Sequence, residues 1–438
     1  MRAIHYSSSK LEADRISFVW NCGGMLSTKY QSTLGSDAHR YKYKRWKREE
    51  SQMPEETIRG RYVFLDGIRG VAAIAVMVFH YTNHQTTSFF RNAPVAVDLF
   101  FILSGFVLCF SYRKRVESGA LSFKKFMIKR IIRLYPMFFL GALIGSGTLF
   151  LMVQYRNATY SHHEIIAAFM YNALFVPYFN NGGIYNFARD VESVGGIFPV
   201  NPPAWSLFAE MFANLFFIKL ISLNSGSLRT ILGTAICAMI VMAVLQSFAG
   251  YSSEINVDMG WGTINFFGAF PRVFWGFTLG ILIERTVSAS STSRGLTKLL
   301  IDKSSALRRH PLLLYAIVLG MFSIPFELKG ITTLVCIAVI CPIIVVIGAS
   351  VKIQSRIGEK VSEFLGWISY PMYCLHMPIG NLIAIVNREG SSMHALSIPF
   401  VPLAGVASLA FCVIAEKFYE EPVRSLLSRK VQALWGSI

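Results

Sequence analysis

Charge is what this sequence has least of. Of its 438 residues only 15% are Asp, Glu, Lys or Arg, while 53% are apolar; a soluble globular chain carries about 25% charged residues. A shortage of that size leaves many segments with no aqueous face. It excludes a disordered chain and a water-soluble enzyme of ordinary design. Acidic residues are scarcer still, 25 against 42 Lys and Arg, for a net charge of +17. Clustered metal ligands are missing too. The seven cysteines are scattered, with no CxxC spacing and no accompanying histidine cluster, so a structural zinc, any other metal and a disulfide framework are all unexpected. Nor does any long apolar run precede residue 60, which removes a signal-peptide hydrophobic core.

What is present, a mean hydropathy of +0.46, belongs to an all-α polytopic membrane protein. A helix needs about 20 mostly apolar residues to cross a bilayer. Ten candidates fall near 67–85, 97–112, 134–153, 205–221, 229–249, 262–284, 311–326, 331–350, 365–386 and 400–419. Basic residues set their direction. The stretch from Arg113 to Arg133 holds eight Lys or Arg and one acid, and Arg285 to His310 holds six and one. Both belong in the cytoplasm, so an even number of crossings lies between them. A shorter apolar stretch at 164–179 is therefore expected as an interfacial or re-entrant helix, and both termini as cytoplasmic. Positive-inside retention explains the basic excess without nucleic acid as a partner.

Three divisions of the chain are expected: a polar basic tail at 1–60, a transmembrane domain at 61–424 and a short cytoplasmic tail at 425–438. Met53-Pro-Glu-Glu looks like an ordinary start just before the first span, so the native chain is expected to begin there.

Ionisable groups inside spans are functional candidates because burying them in lipid is unfavourable. In the first span Arg69 and His80 are separated by roughly 16 Å along the helix axis, which puts Arg69 near the cytoplasmic face and His80 deep. An imidazole there suits general-base chemistry. Asp98 and Glu210 enter their spans from outside, so His80, Asp98, Glu210 and His376 are all expected in the outer half, with Arg272 near the middle of its span. Arg130 and Arg133, three apart, share a face of any helix they sit on. Two guanidinium groups so placed, with Arg69 nearby, suit a phosphorylated ligand.

Several elements in order carry a resemblance. They are Leu65-Asp-Gly-Ile-Arg-Gly70 leading to His80, Val97-Asp-Leu-Phe-Phe-Ile-Leu-Ser-Gly-Phe106, and Arg130-Ile-Ile-Arg133 with Tyr135-Pro136. Trp205-Ser-Leu with Glu210, Ser369-Tyr-Pro-Met-Tyr-Cys-Leu-His376 and Glu421-Pro-Val-Arg424 complete them. Together the chain resembles the acyltransferase-3 family of integral membrane O-acyltransferases, which modify exported glycans. The resemblance implies an acyl-CoA donor, acetyl-CoA most commonly, docked on Arg69, Arg130 and Arg133. It implies His80 as base or transient acyl carrier, with Asp98 or Glu210 orienting the imidazole, and Trp205, Ser206, Arg272 and His376 toward the substrate. The acceptor is then a carbohydrate or glycolipid at the outer face of a bacterial inner membrane. An aromatic and glycine-rich segment, including Gly182-Gly183, Tyr178 and Phe198, would cover it as a lid. The alternative is a transporter or flippase for an anionic or glycosylated lipid, which uses the same polar mid-bilayer groups and basic mouth. No inverted repeat supports it, and His80 separates the two: only a transferase loses turnover while still binding acyl-CoA.

Overall fold

A computed structural model describes residues 62–82, 89–156, 161–179, 196–251, 255–289, 296–304, 310–323, 329–386, 396 and 399–435. The polar tail with Met53, and Gly182-Gly183 of the expected lid, lie outside the described residues. All the named elements are helical: α1 (Val63–Thr82), α2 (Val95–Glu117), α3 (Phe123–Arg156), α4 (His162–Ala173), α5 (Ala204–Ser222), α6 (Ser225–Phe248) and α7 (Ala269–Ala289). After the short α8 (Leu296–Lys303) and α9 (Pro311–Ser323), α10 (Lys329–Val335) passes through a π-turn into α11 (Cys341–Ser350). α12 (Arg356–Val386) and α13 (Phe400–Ala415) follow, and a second π-turn (Glu416–Glu420) leads into α14 (Glu421–Trp435).

Each of the ten expected spans coincides with a helix. Among the described residues, eight helical stretches are long and apolar enough to cross a membrane. The other two differ for separate reasons. α9 has 13 described residues, about 20 Å of helix, short of a bilayer core of about 30 Å. α12 is long, but prolines, tyrosines, His376 and Asn381 interrupt its apolar run. The stretch expected to be interfacial forms α4, whose 12 residues are too few to span. Its start is a capping box: the Glu164 N–H donates to Ser161 Oγ at 3.2 Å and the Ser161 N–H to Glu164 Oε2 at 2.8 Å. The basic loop before the third span proves to be mostly helix, since only residues 118–122 separate α2 from α3.

Small residues let the central helices approach closely. On α2, Gly105 lies against the Phe277 carbonyl of α7, and a Cβ on Gly276 would meet that of Phe101 at 2.6 Å. With Gly280 one turn on, also packed against α2, this is the small-xxx-small pattern of helix pairs in lipid. The close crossing carries Arg272, one turn before Gly276, onto Asp98. α1 nests against α12 in the same way, Gly70 meeting the backbone of Leu365. Pro378 within α12 cannot donate to the Cys374 carbonyl; Asn201 supplies the missing partner, its Nδ2 lying 2.8 Å from that oxygen. By contrast α6 and α13 bury little, presenting side chains such as Val241, Leu245, Leu403 and Val406 outward, as suits lipid-facing helices.

Candidate functional site

Two cavities meet inside the bundle. The first, about 200 Å³, is lined by all three expected donor-site arginines, Arg69, Arg130 and Arg133, with Glu210 among its other walls. α3 brings Arg130 and Arg133 to one face because they sit three residues apart on a helix, and α1 brings Arg69. Each arginine has an acidic partner. Arg69 pairs with Asp66 at 3.6 Å, Arg130 with Glu210 at 2.6 Å and Arg133 with Glu420 at 3.2 Å. Ser104 Oγ donates to the same Glu210 oxygen at 3.0 Å. The Arg133 guanidinium lies 4.9 Å over the Tyr370 ring, whose hydroxyl donates to the Leu134 carbonyl. Arg130 Nε is buried with no hydrogen-bond partner among the described residues, a donor that a ligand's oxygen would satisfy.

The second cavity, about 390 Å³, is lined by His80, Trp205, Trp261, Asp258, Tyr373 and Met377 among others. Val97 and Tyr373 belong to both cavities and so form their common wall. The Tyr373 hydroxyl lies 2.6 Å from Ser206 Oγ and donates to the Pro203 carbonyl at 3.2 Å. Ser206 faces the arginine cavity, Trp205 the histidine cavity.

Behind Trp205 sits a charged hub. Arg272 is fully buried. Its Nε and Nη2 donate to the two oxygens of Asp98 at 3.1 and 2.7 Å, a bidentate pair. Nη1 donates to Asp258 at 2.9 Å and to the Met259 carbonyl at 2.6 Å, and the guanidinium stacks 5.3 Å from the Trp205 ring. The hub thereby ties α2, α7 and the segment before α7 to one indole.

These placements change several expectations. Asp98 or Glu210 was expected to orient His80, but both are held by arginines: a buried guanidinium demands a carboxylate, and the close α2–α7 crossing supplies one to Arg272. Glu210 stands in the arginine cavity rather than beside His80. Arg272 and His376 do not line either cavity; each is fully buried and acts on a residue that does. His80 meets His376 instead, its Nδ1 lying 2.9 Å from His376 Nε2. Phe198, expected in a mobile lid, is buried against Phe138. Sequence reasoning missed Tyr373, although it precedes His376 by three residues and therefore shares its helix face. It also missed Asp258, which no local pattern marks. Among the described residues no three His, Cys, Asp or Glu side chains gather as metal ligands.

The comparisons agree with this architecture. A family profile described as an acyltransferase domain matches residues 62–417, most of the chain, and the chain belongs to that family. It is an acyltransferase and an integral membrane protein. Protein 2 in the picA locus of Rhizobium radiobacter is 31% identical over 210 residues, 45% of this chain and 100% of that protein. A protein named as an acetyltransferase, from Acidianus two-tailed virus, is 26% identical over 327 residues, 73% of this chain and 84% of its own. No solved structure matches.

Proposed function

We propose that the protein moves an acyl group, acetyl in the first instance, from cytosolic acyl-CoA to a hydroxyl of a carbohydrate or glycolipid at the outer side of a bacterial inner membrane. The observation that carries this is the shared wall: three arginines gather in one cavity, a histidine lines the next, and Tyr373 and Val97 belong to both. With the basic α2–α3 turn in the cytoplasm, the arginine cavity opens toward the donor's compartment and both termini lie on that side. The CoA phosphates replace carboxylates as partners of Arg130 and Arg133, and the thiol end of the pantetheine arm passes Tyr373 toward His80. The domain at 61–424 does this work; 1–60 and 425–438 are its cytoplasmic flanks.

In the histidine cavity the imidazole of His80 takes the proton of the acceptor hydroxyl as its oxygen attacks the thioester carbonyl. The C–O bond forms, the C–S bond breaks, and the leaving thiolate receives the proton from the imidazolium. Ester and free CoA result, with no redox change. Trp205 and Trp261 offer the flat apolar faces on which a sugar ring rests, and the Arg272 hub keeps Trp205 in place.

Calorimetric titration of the purified protein with acetyl-CoA and longer acyl-CoAs tests the reading. Micromolar binding that is lost in Arg130→Ala/Arg133→Ala and kept in His80→Ala is the expected result. A folded, monodisperse sample that binds none of these thioesters overturns it in favour of a transporter.

A further inference from the structure

The Nδ1 atom of His80 meets another imidazole, 2.9 Å away on His376, and that second histidine is itself constrained. His376 Nδ1 lies 2.8 Å from the Met372 carbonyl, one turn back along α12. A carbonyl oxygen only accepts, so the proton of this contact resides on His376 Nδ1. The ring is fully buried, and its hydrogen-bond partners are that carbonyl and another imidazole. A buried imidazole with no carboxylate on it holds one proton, because a second would bring an uncompensated charge out of water. Its Nε2 is then a lone-pair acceptor. Two acceptors do not meet at 2.9 Å, so the hydrogen between the rings belongs to His80 Nδ1.

We propose that His376 is a positioning residue that fixes His80 as its Nδ1–H tautomer and leaves the Nε2 lone pair to serve as the base. The chain of donors runs from His80 Nδ1–H to His376 Nε2, and from His376 Nδ1–H to the Met372 carbonyl. It does the orienting work that a carboxylate does in a Ser-His-Asp triad.

The neighbouring residue locks the geometry. The Tyr81 hydroxyl donates to the backbone carbonyl of His376 at 2.8 Å and lies 2.6 Å from Ser408 Oγ on α13. Consecutive residues of α1 thus grip the same residue of α12, one by its ring and one by its backbone. Gly380, one turn beyond, gives room to the Tyr81 ring. Sliding or rotating α1 against α12 would break both contacts at once, so the inter-ring distance is set by the helix pairing and not by the imidazoles alone.

The inference rests on the reading of His80 as base, yet its test does not require turnover. The full-length protein, labelled with ¹⁵N-histidine and reconstituted in lipid nanodiscs, reports each ring's tautomer through its nitrogen shifts. The chain has nine histidines, and the pair of signals missing in His80→Asn identifies His80. The expected wild-type result is a protonated Nδ1 and a bare Nε2. In His376→Phe, which keeps a ring but removes the acceptor, the proton moves to Nε2 in a substantial fraction of molecules. In His376→Gln, whose amide oxygen reaches the place of Nε2, the Nδ1–H form persists. Release of CoA from acetyl-CoA in membranes falls by about 10²-fold in His376→Phe, partly recovers in His376→Gln, and acetyl-CoA affinity stays unchanged in both. A wild-type His80 protonated on Nε2, or a tautomer indifferent to His376→Phe, overturns the inference. Nδ1–H in the wild type together with full turnover in His80→Ala would instead uphold the histidine pair and overturn His80 as base.

Discussion

The two cavities treat charge in opposite ways. In the arginine cavity every guanidinium faces the space and every one already holds a carboxylate: Asp66, Glu210 or Glu420. Such pairs suit exchange, because an anionic ligand would replace one partner without leaving the guanidinium bare. On the histidine side Arg272 and Asp98 are drawn back behind the wall, and Asp258, which does line the cavity, is paired with the same guanidinium. Arg272 and Asp98 neutralise each other, both fully buried, and present an indole to the cavity instead. On the proposed function, one chamber would hold the charged donor, and the other would give a proton transfer a mostly apolar lining in which electrostatic interactions are strong. An enzyme joining a polyanionic donor to a neutral hydroxyl needs both, and needs them separated.

Substitutions can break that division or sharpen it. The largest effect is expected at His80→Ala: acyl transfer falls by about 10²–10⁴-fold while acyl-CoA affinity, measured by calorimetry, holds. An equal loss of affinity would show that the chambers are one site. Arg272→Met comes next. It leaves Asp98 charged and buried, a loss of about 3–5 kcal/mol seen as a lower thermal midpoint in detergent, and Asp98→Leu in the same chain restores part of it. A wild-type midpoint in the single variant would remove the hub from the account. Glu210→Gln acts on the other side. It frees Arg130 from a charged partner, so CoA binds about tenfold more tightly, as expected of a charge-assisted hydrogen bond of about 1.5 kcal/mol, with a steeper salt dependence. Weaker binding would mean that Glu210 orders Arg130 instead of competing for it. Tyr373→Phe is the mildest change. Losing its hydroxyl contacts to Ser206 and the Pro203 carbonyl is worth about 1 kcal/mol of stability. If the wall matters as drawn, hydrolysis of acetyl-CoA by water rises relative to transfer.

The helices were legible because a bilayer imposes a local demand. Apolar length alone located all ten stretches that prove helical, and the brevity of the run at 164–179 marked α4 as different. Arg130 and Arg133 were legible as a pair because three residues on a helix share a face whatever surrounds it. The partners of the carboxylates were not. Depth along a helix can be counted from sequence, but the direction a side chain faces around the axis is set by the neighbouring helix. Asp98 and Glu210 were therefore alternatives for the place beside His80, whereas one meets Arg272 and the other stands among the arginines.

Sequence by itself determined that this chain lives in a membrane, that its basic residues are gathered ahead of the third apolar stretch, and that one histidine belongs to the first. Each follows from composition or from spacing within a single helix. Tertiary structure alone decided that Asp98 answers Arg272, 174 positions away, and that His80 answers His376, 296 positions away. Those pairings depend on which glycines let which helices touch, and contact between distant segments is a property of the packed bundle rather than of any segment in it.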